Sequence, residues 1–305
     1  MSNRILFFGN ERLATGVNTN TPIVKQLLAT GYTLVAIVIT PQVRNVSRNL
    51  RPLEIAKFAE ENHITLLEYA NLKSAIDQLK AYRADIGVLA AFGKIVPECV
   101  IKIFPKGIVN IHPSLLPKHR GPTPIESALL AGETVTGVSL MQLVPSMDAG
   151  PLFDQAAIKL TGTESKQTLA TKLSELGADM LIKHLPAILK GDLEPRPQPE
   201  KDTIYDSKIN PADGIMDFTK PAIILEREVR AYAGWPKSKT IINSQLAIIT
   251  QAHTLESGSH KPGTIYHQQN SFGFYTAKGI LIIDRLIPAG SKEMTAAEYL
   301  RGHDI

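Results

Sequence analysis

The densest run of chemically active side chains lies at Asn110-Ile111-His112-Pro113-Ser114-Leu115-Leu116-Pro117-Lys118-His119-Arg120-Gly121-Pro122. Asn110 and His112 stand two apart, and on an extended segment that spacing turns both side chains to one face. A primary amide donates to an oxygen that is gaining negative charge. A neutral imidazole takes or gives a proton near neutral pH. Pro113, Pro117 and Pro122 stiffen the loop that follows, which suits a site that must hold its geometry. A second run, residues 137–151, reads as a strand closed by a turn with one carboxylate, Asp148. A carboxylate near His112 would favour the imidazolium and could position a water. Residue chemistry stops there. An Asn at a strand end and an Asp before Ala-Gly also make ordinary turns, and a lone His is as readily a hydrogen-bonded core or surface residue. The trio gives an acid–base site without naming a reaction.

Such a site needs elements to position it. The first half alternates short apolar runs at 4–8, 33–39, 64–68, 86–91 and 107–111 with helical spacing at 22–29, 53–62 and 72–82. Strands separated by helices of this length imply crossover units and a parallel sheet. In such sheets ligands bind beyond the carboxyl ends of the strands, where the strand holding Asn110 ends. Residues 163–190 read as a long helix broken near Gly177. Alternate prolines at Pro195, Pro197 and Pro199 then favour a stiff extended segment. Beyond it come a helix at 226–233 and short strands at 240–242, 246–252, 263–266, 272–276 and 280–286. Close spacing of this kind suggests a small barrel. The fold expected is α/β: a Rossmann-like, mostly parallel sheet domain over 1–194, a linker at 195–208, and a small OB-like β-barrel over 209–305.

Composition sets outer bounds. The chain has 305 residues, 44% hydrophobic and 20% charged, which suits two domains of a soluble protein. Its one cysteine, Cys99, forms no internal disulfide, in keeping with a reducing cytoplasm. No stretch reads as a signal peptide or membrane span. The formal charge of +4 allows an anionic partner without requiring one. The eight histidines show no metal-ligand spacing with cysteine or carboxylate, so no metal is expected. Gly9 to Gly16 lacks the Gly-x-Gly-x-x-Gly spacing of a dinucleotide site.

The run Asn110-x-His112-x-Ser114-Leu115-Leu116-Pro117-x-x-Arg120-Gly121-x-x-Pro124 resembles the signature of the 10-formyltetrahydrofolate-dependent formyltransferases. Met147-Asp148-Ala149-Gly150 resembles that family's aspartate turn. The resemblance implies formyl transfer with Asn110, His112 and Asp148 as the catalytic set and 10-formyltetrahydrofolate as co-substrate. Val88 to Pro97 is similar to the family's folate loop. That likeness implies folate contacts from Phe92, Gly93, Ile95 and Val96, together with Ser114, Leu115, Leu116 and Pro117. Tyr205-Asp206-Ser207-Lys208-Ile209, Gly234-Trp235-Pro236 and Pro262-Gly263-Thr264-Ile265 look like the C-terminal domain of the branch that formylates the α-amine of methionyl initiator tRNA in translation initiation. That branch is expected to be a cytoplasmic monomer with no membrane partner. It carries a basic loop where Arg44, Arg48 and Arg51 stand, which implies contacts to tRNA. An amino-sugar nucleotide is the alternative acceptor, because such formyltransferases can also carry a C-terminal barrel. The sequence departs from the family pattern at Glu126-Ser127, at Val144-Pro145-Ser146, in residues 15–20, and in a shorter segment after Thr40.

Overall fold

A computed structural model describes residues 3–10, 19, 21–41, 53–256 and 260–305. Arg44, Arg48 and Arg51 lie outside the described residues. So do the departures at 15–18 and 20.

In chain order the elements up to Lys190 are β1 (Arg4–Phe8), α1 (Pro22–Ala29), β2 (Thr33–Ile39), α2 (Glu54–Glu61), β3 (Leu66–Glu68), α3 (Ile76–Ala81), β4 (Ile86–Leu89), α4 (Glu98–Ile101), β5 (Ile108–His112), α5 (Pro124–Ala131), β6 (Val135–Gln142), β7 (Leu152–Lys159) and α6 (Lys166–Lys190). The seven strands form one sheet in the order β3-β2-β1-β4-β5-β6-β7. β1 to β5 pair in parallel, and β6 and β7 close the sheet in antiparallel fashion. The order reverses between β1 and β4, which makes their carboxyl ends the switch point where α/β sheets bind ligands. Phe8 pairs with Leu89, and Leu89 with Asn110, so Asn110 stands level with that rim on the neighbouring strand. Gly9 follows β1 at φ 131°, and a Cβ there would lie 1.8 Å from the Ala90 carbonyl oxygen. Glycine lets the two chain ends approach at the switch point.

One face of the sheet carries Leu6, Phe8, Ala36, Val38, Leu89 and Ile108, packed with Leu72, Leu79, Val100 and Phe104. The opposite face receives α6. This helix runs unbroken through Gly177, contrary to the expected break. The glycine serves packing: a Cβ at 177 would meet Ile111 Cγ2 at 2.6 Å and Val138 Cγ1 at 3.5 Å. Ile111 therefore points toward α6. By the two-residue alternation of a strand, Asn110 and His112 point to the other face.

The second domain contains α7 (Ala222–Ala231), β8 (Ser238–Ile242), β9 (Gln245–Leu255), β10 (Ile265–Gln268), β11 (Ser271–Tyr275), β12 (Ile280–Pro288), β13 (Met294–Thr295) and α8 (Ala296–Leu300). Its strands form an antiparallel sheet in the order β10-β11-β12-β9-β8, with β13 on β12, an arrangement that fits a small barrel. β9 and β12 slip register around Arg285, and such bulges let long strands bend. Leu225, Val229, Ile249, Phe272, Phe274, Leu281, Leu286 and Tyr299 fill the core. The helix expected at 226–233 starts earlier, directly after Pro221, whose ring sets the chain for the first turn.

The chain divides into two compact units. The second takes in Ile125–Thr134 and Leu160–Gln167 as well as Lys208–Ile305. Within it Lys166 is fully buried, with Nζ donating to the Trp235 carbonyl at 2.9 Å and standing 3.7 Å from Glu126 Oε1. Burial pushes the Lys166 amine below its ordinary 10.5, and Glu126 works against that shift. Glu126, one of the departures in the sequence, is thus the counter-charge of a buried lysine. Among the described residues no helix is long and apolar enough to cross a membrane.

Candidate active site

Asn110 and His112 are each 5% exposed at the end of β5. Among the described residues none hydrogen-bonds the Asn110 side-chain amide, so its donors remain available to a substrate. His112 is held by one nitrogen. Its Nε2 stands 2.9 Å from the His119 carbonyl oxygen, and a carbonyl only accepts, so Nε2 carries the hydrogen. The proton that can come and go is therefore at Nδ1. That atom faces Asp148 Oδ1 at 3.7 Å. This separation exceeds a direct hydrogen bond, and catalytic contacts commonly tighten when substrate binds. Asp148 is fixed by its other oxygen, Oδ2, which accepts from the Gly121 amide at 2.8 Å. One carboxylate thus ties the aspartate turn to the loop after β5 while its second oxygen looks at the imidazole.

The loop is locked from β6 and β7. Ser139 Oγ donates to the Ser114 carbonyl at 2.6 Å and accepts from the Leu116 amide at 3.0 Å. Gln155 Nε2 donates to Ser139 Oγ at 2.8 Å and to the Leu116 carbonyl at 2.9 Å. Ser114 Oγ donates to the Lys118 carbonyl at 2.7 Å. His119 Nδ1 lies 3.0 Å from Asp206 Oδ1, and the Arg120 and Asp206 backbones pair through Arg120 N to Ile204 O and Asp206 N to Arg120 O. Ile204 and Asp206, within the segment 195–208 expected as a linker, are therefore hydrogen-bonded to the loop that follows His112.

The structure brings Asn110, His112 and Asp148 together. It distributes the expected folate residues unevenly. Phe92 and Val96 lie in the core, with Phe92 edge-on to Phe8 at 5.7 Å, so their side chains pack the fold. Ile95 is 73% exposed, and a Cβ on Gly93 would meet nothing within 4 Å, so this stretch of loop is open to a ligand. Ser114 and Leu116 are buried with their backbone engaged as above, and Leu115 packs over Gly137. Sequence reasoning assigned no role to Ser139, Gln155, Gln198 or Asp206. Their function is a matter of partners far along the chain, and a serine inside an apolar strand was the single visible signal.

Residues 6–185, which contain this trio, match a family model described as "Formyl transferase", and residues 208–304 match "Formyl transferase, C-terminal domain". Fold and site together define a two-domain formyl transferase. A methionyl-tRNA formyltransferase of Chloroflexus aurantiacus is 37% identical over 306 residues, 98% of this chain and 96% of the relative. One of Thermodesulfovibrio yellowstonii is 32% identical over 308 residues, 100% of this chain and 97% of the relative. The chain belongs to the methionyl-tRNA formyltransferase family. Among solved structures, an N-formyltransferase of Helicobacter canadensis in complex with folinic acid and dTDP-3-aminofucose shares the fold at TM-score 0.67 and 18% identity, over 96% of this chain and 100% of that one. HypX of Aquifex aeolicus in complex with tetrahydrofolic acid matches at TM-score 0.67 and 17% identity, over 97% of this chain and 46% of that one. The chain spans about half the length of the HypX chains it matches.

Proposed function

We propose that this protein transfers the formyl group of 10-formyltetrahydrofolate to the α-amine of methionyl initiator tRNA. The observation that carries the chemistry is the state of His112: one ring nitrogen committed to the His119 carbonyl, the other 3.7 Å from the Asp148 carboxylate, two residues beyond an unengaged Asn110 amide. The neutral amine attacks the formyl carbon and its carbonyl oxygen becomes an alkoxide. Asn110 Nδ2 donates to that oxygen, which typically lowers such a barrier by about 3 kcal/mol. The C–N bond to folate N10 then breaks, and the proton released by the amine ends on N10. His112 Nδ1 and Asp148 carry that proton, a service worth about a hundredfold to ten-thousandfold. The exposed residues Gly93 to Ile95, just past the carboxyl end of β4, leave that rim open to a ligand, which supports the folate assignment. Residues 1–194 form the catalytic part in this reading. Residues 209–305 hold the tRNA, and Arg44, Arg48 and Arg51 grip its acceptor end.

The near full-length identity to methionyl-tRNA formyltransferases supports tRNA as acceptor. The test is to supply labelled 10-formyltetrahydrofolate with either methionyl initiator tRNA or an amino-sugar nucleotide. Label is expected on the tRNA-borne methionine alone. Transfer to the sugar nucleotide and none to tRNA would overturn the acceptor assignment and leave the formyl-transfer chemistry standing.

A further inference from the structure

The turn that carries Asp148 is held from behind by Gln198, a residue to which the mechanism above gives no part. Its Nε2 donates to two carbonyls of that turn, Asp148 O at 2.8 Å and Gly150 O at 2.7 Å. Its Oε1 accepts from Arg120 twice, from Nη2 at 2.6 Å and Nε at 3.1 Å. The four bonds fix which way the amide points. Flipped, its NH2 would face a guanidinium and its oxygen two carbonyls, donor against donor and acceptor against acceptor.

Arg120 is a firm brace for this amide. It is 8% exposed, its Nη1 donates to the Tyr205 hydroxyl at 3.0 Å, and its backbone amide donates to the Ile204 carbonyl at 2.9 Å. The turn needs such support. Asp148 sits at φ 47°, in the left-handed region that side chains other than glycine rarely adopt, and surrounding contacts must hold it there. In that conformation its carboxylate reaches the Gly121 amide with Oδ2 and faces His112 with Oδ1. The brace comes from Arg120, next to Gly121 in the same loop. One side chain therefore couples the loop that holds His112 to the turn that holds Asp148.

We infer that Gln198 is a positioning residue for formyl transfer: its amide clamps the Asp148 turn so that Asp148 Oδ1 faces His112 Nδ1, with Arg120 bracing the amide. The inference rests on the reading of Asp148 as part of the reacting centre. Gln198→Glu separates positioning from mere anchoring. The glutamate keeps the length of the side chain and strengthens the grip on Arg120 by charge, but it sets an oxygen where an N–H met two carbonyls. If Gln198 only ties the 196–206 segment to Arg120, this variant works normally.

The experiment compares wild type, Gln198→Glu, Gln198→Met and Asp148→Asn, all as the full chain, with 10-formyltetrahydrofolate and methionyl initiator tRNA. It reads kcat, KM for the folate, the pH profile of kcat and the melting temperature. Gln198→Glu is expected to lose about 10- to 100-fold in kcat, the scale of a small misplacement of a reacting group. Its folate KM should stay within about twofold and its melting temperature should fall by no more than a few degrees, the stronger grip on Arg120 offsetting part of the two lost carbonyl bonds, while the pH profile shifts. Gln198→Met, which loses both halves of the clamp, is expected to lose at least as much kcat, and it decides the matter alone if the glutamate variant does not fold. A kcat within about twofold of wild type in Gln198→Glu, beside an inactive Asp148→Asn, overturns the inference and leaves the Asp148 assignment intact. A raised folate KM with unchanged kcat overturns it too. Normal turnover in Asp148→Asn sinks the reading of the site itself.

Discussion

Ser139→Ala removes the hub that locks the loop after His112, and the structure sets its scale. The hydroxyl is fully buried, donates to the Ser114 carbonyl and accepts from the Leu116 amide and Gln155 Nε2. Alanine keeps the strand and the volume, so the cost is polar. Gln155 retains its bond to the Leu116 carbonyl, whereas the Ser114 carbonyl and the Leu116 amide each lose this partner in a buried setting. A buried group left unsatisfied costs about 1–3 kcal/mol, which puts the total near 2–4 kcal/mol once some relaxation is allowed. At 1.4 kcal/mol per decade, exchange of the Leu116 amide hydrogen should run about 30- to 700-fold faster than in wild type. Hydrogen exchange of the loop peptide reads this directly. Far-UV circular dichroism in urea reads the loss of global stability, since the single tryptophan, Trp235, reports on the other unit. Because the loosened stretch is the proposed folate contact, KM for the formyl folate should rise severalfold. An unchanged Leu116 exchange rate with stability within about 0.5 kcal/mol of wild type would refute the reasoning.

Two further perturbations probe the frame around the site. Gly177→Ala gains about 1 kcal/mol of helix propensity but presses a methyl within 2.6 Å of Ile111, and overpacking costs about 1–3 kcal/mol. Thermal unfolding should show a neutral to destabilised protein, and clear stabilisation would mean that α6 is not pressed against β5. Lys166 titrates below its ordinary 10.5 because burial disfavours its charge. Between that lowered value and 10.5 the unfolded chain holds more protons than the folded one, so stability rises with pH through this window. Urea midpoints followed by Trp235 fluorescence should show wild type gaining on Lys166→Met as pH climbs toward 10.5, and a flat or falling difference would contradict the burial of a charged amine.

The sequence made the site legible where chemistry is local. Asn110 and His112 are two apart on a strand, and a period of two needs no tertiary knowledge. Asp148 was recognisable through its turn, although its distance to His112 was not. Ser139, Gln155 and Gln198 escaped notice because their partners lie as many as 78 positions away along the chain. The expected break at Gly177 failed for the same reason: a mid-helix glycine reads as a weak point until the neighbouring Ile111 is known. β7 was missed because it is an edge strand, with no residue of Leu152–Lys159 fully buried and no continuous apolar run to mark it. Phe92 and Val96 pack in the core, and in sequence an apolar side chain beside a ligand loop looks identical to one in the core.

The most direct measurement of the central claim is single-turnover formyl transfer from 10-formyltetrahydrofolate to methionyl initiator tRNA by His112→Ala, at saturating concentrations of both substrates. The imidazole is bonded to one loop carbonyl at the sheet rim, so the variant should fold and bind folate. The transfer rate is expected to fall by at least about a hundredfold, with folate affinity within about twofold of wild type. A transfer rate within about twofold of wild type would contradict the account.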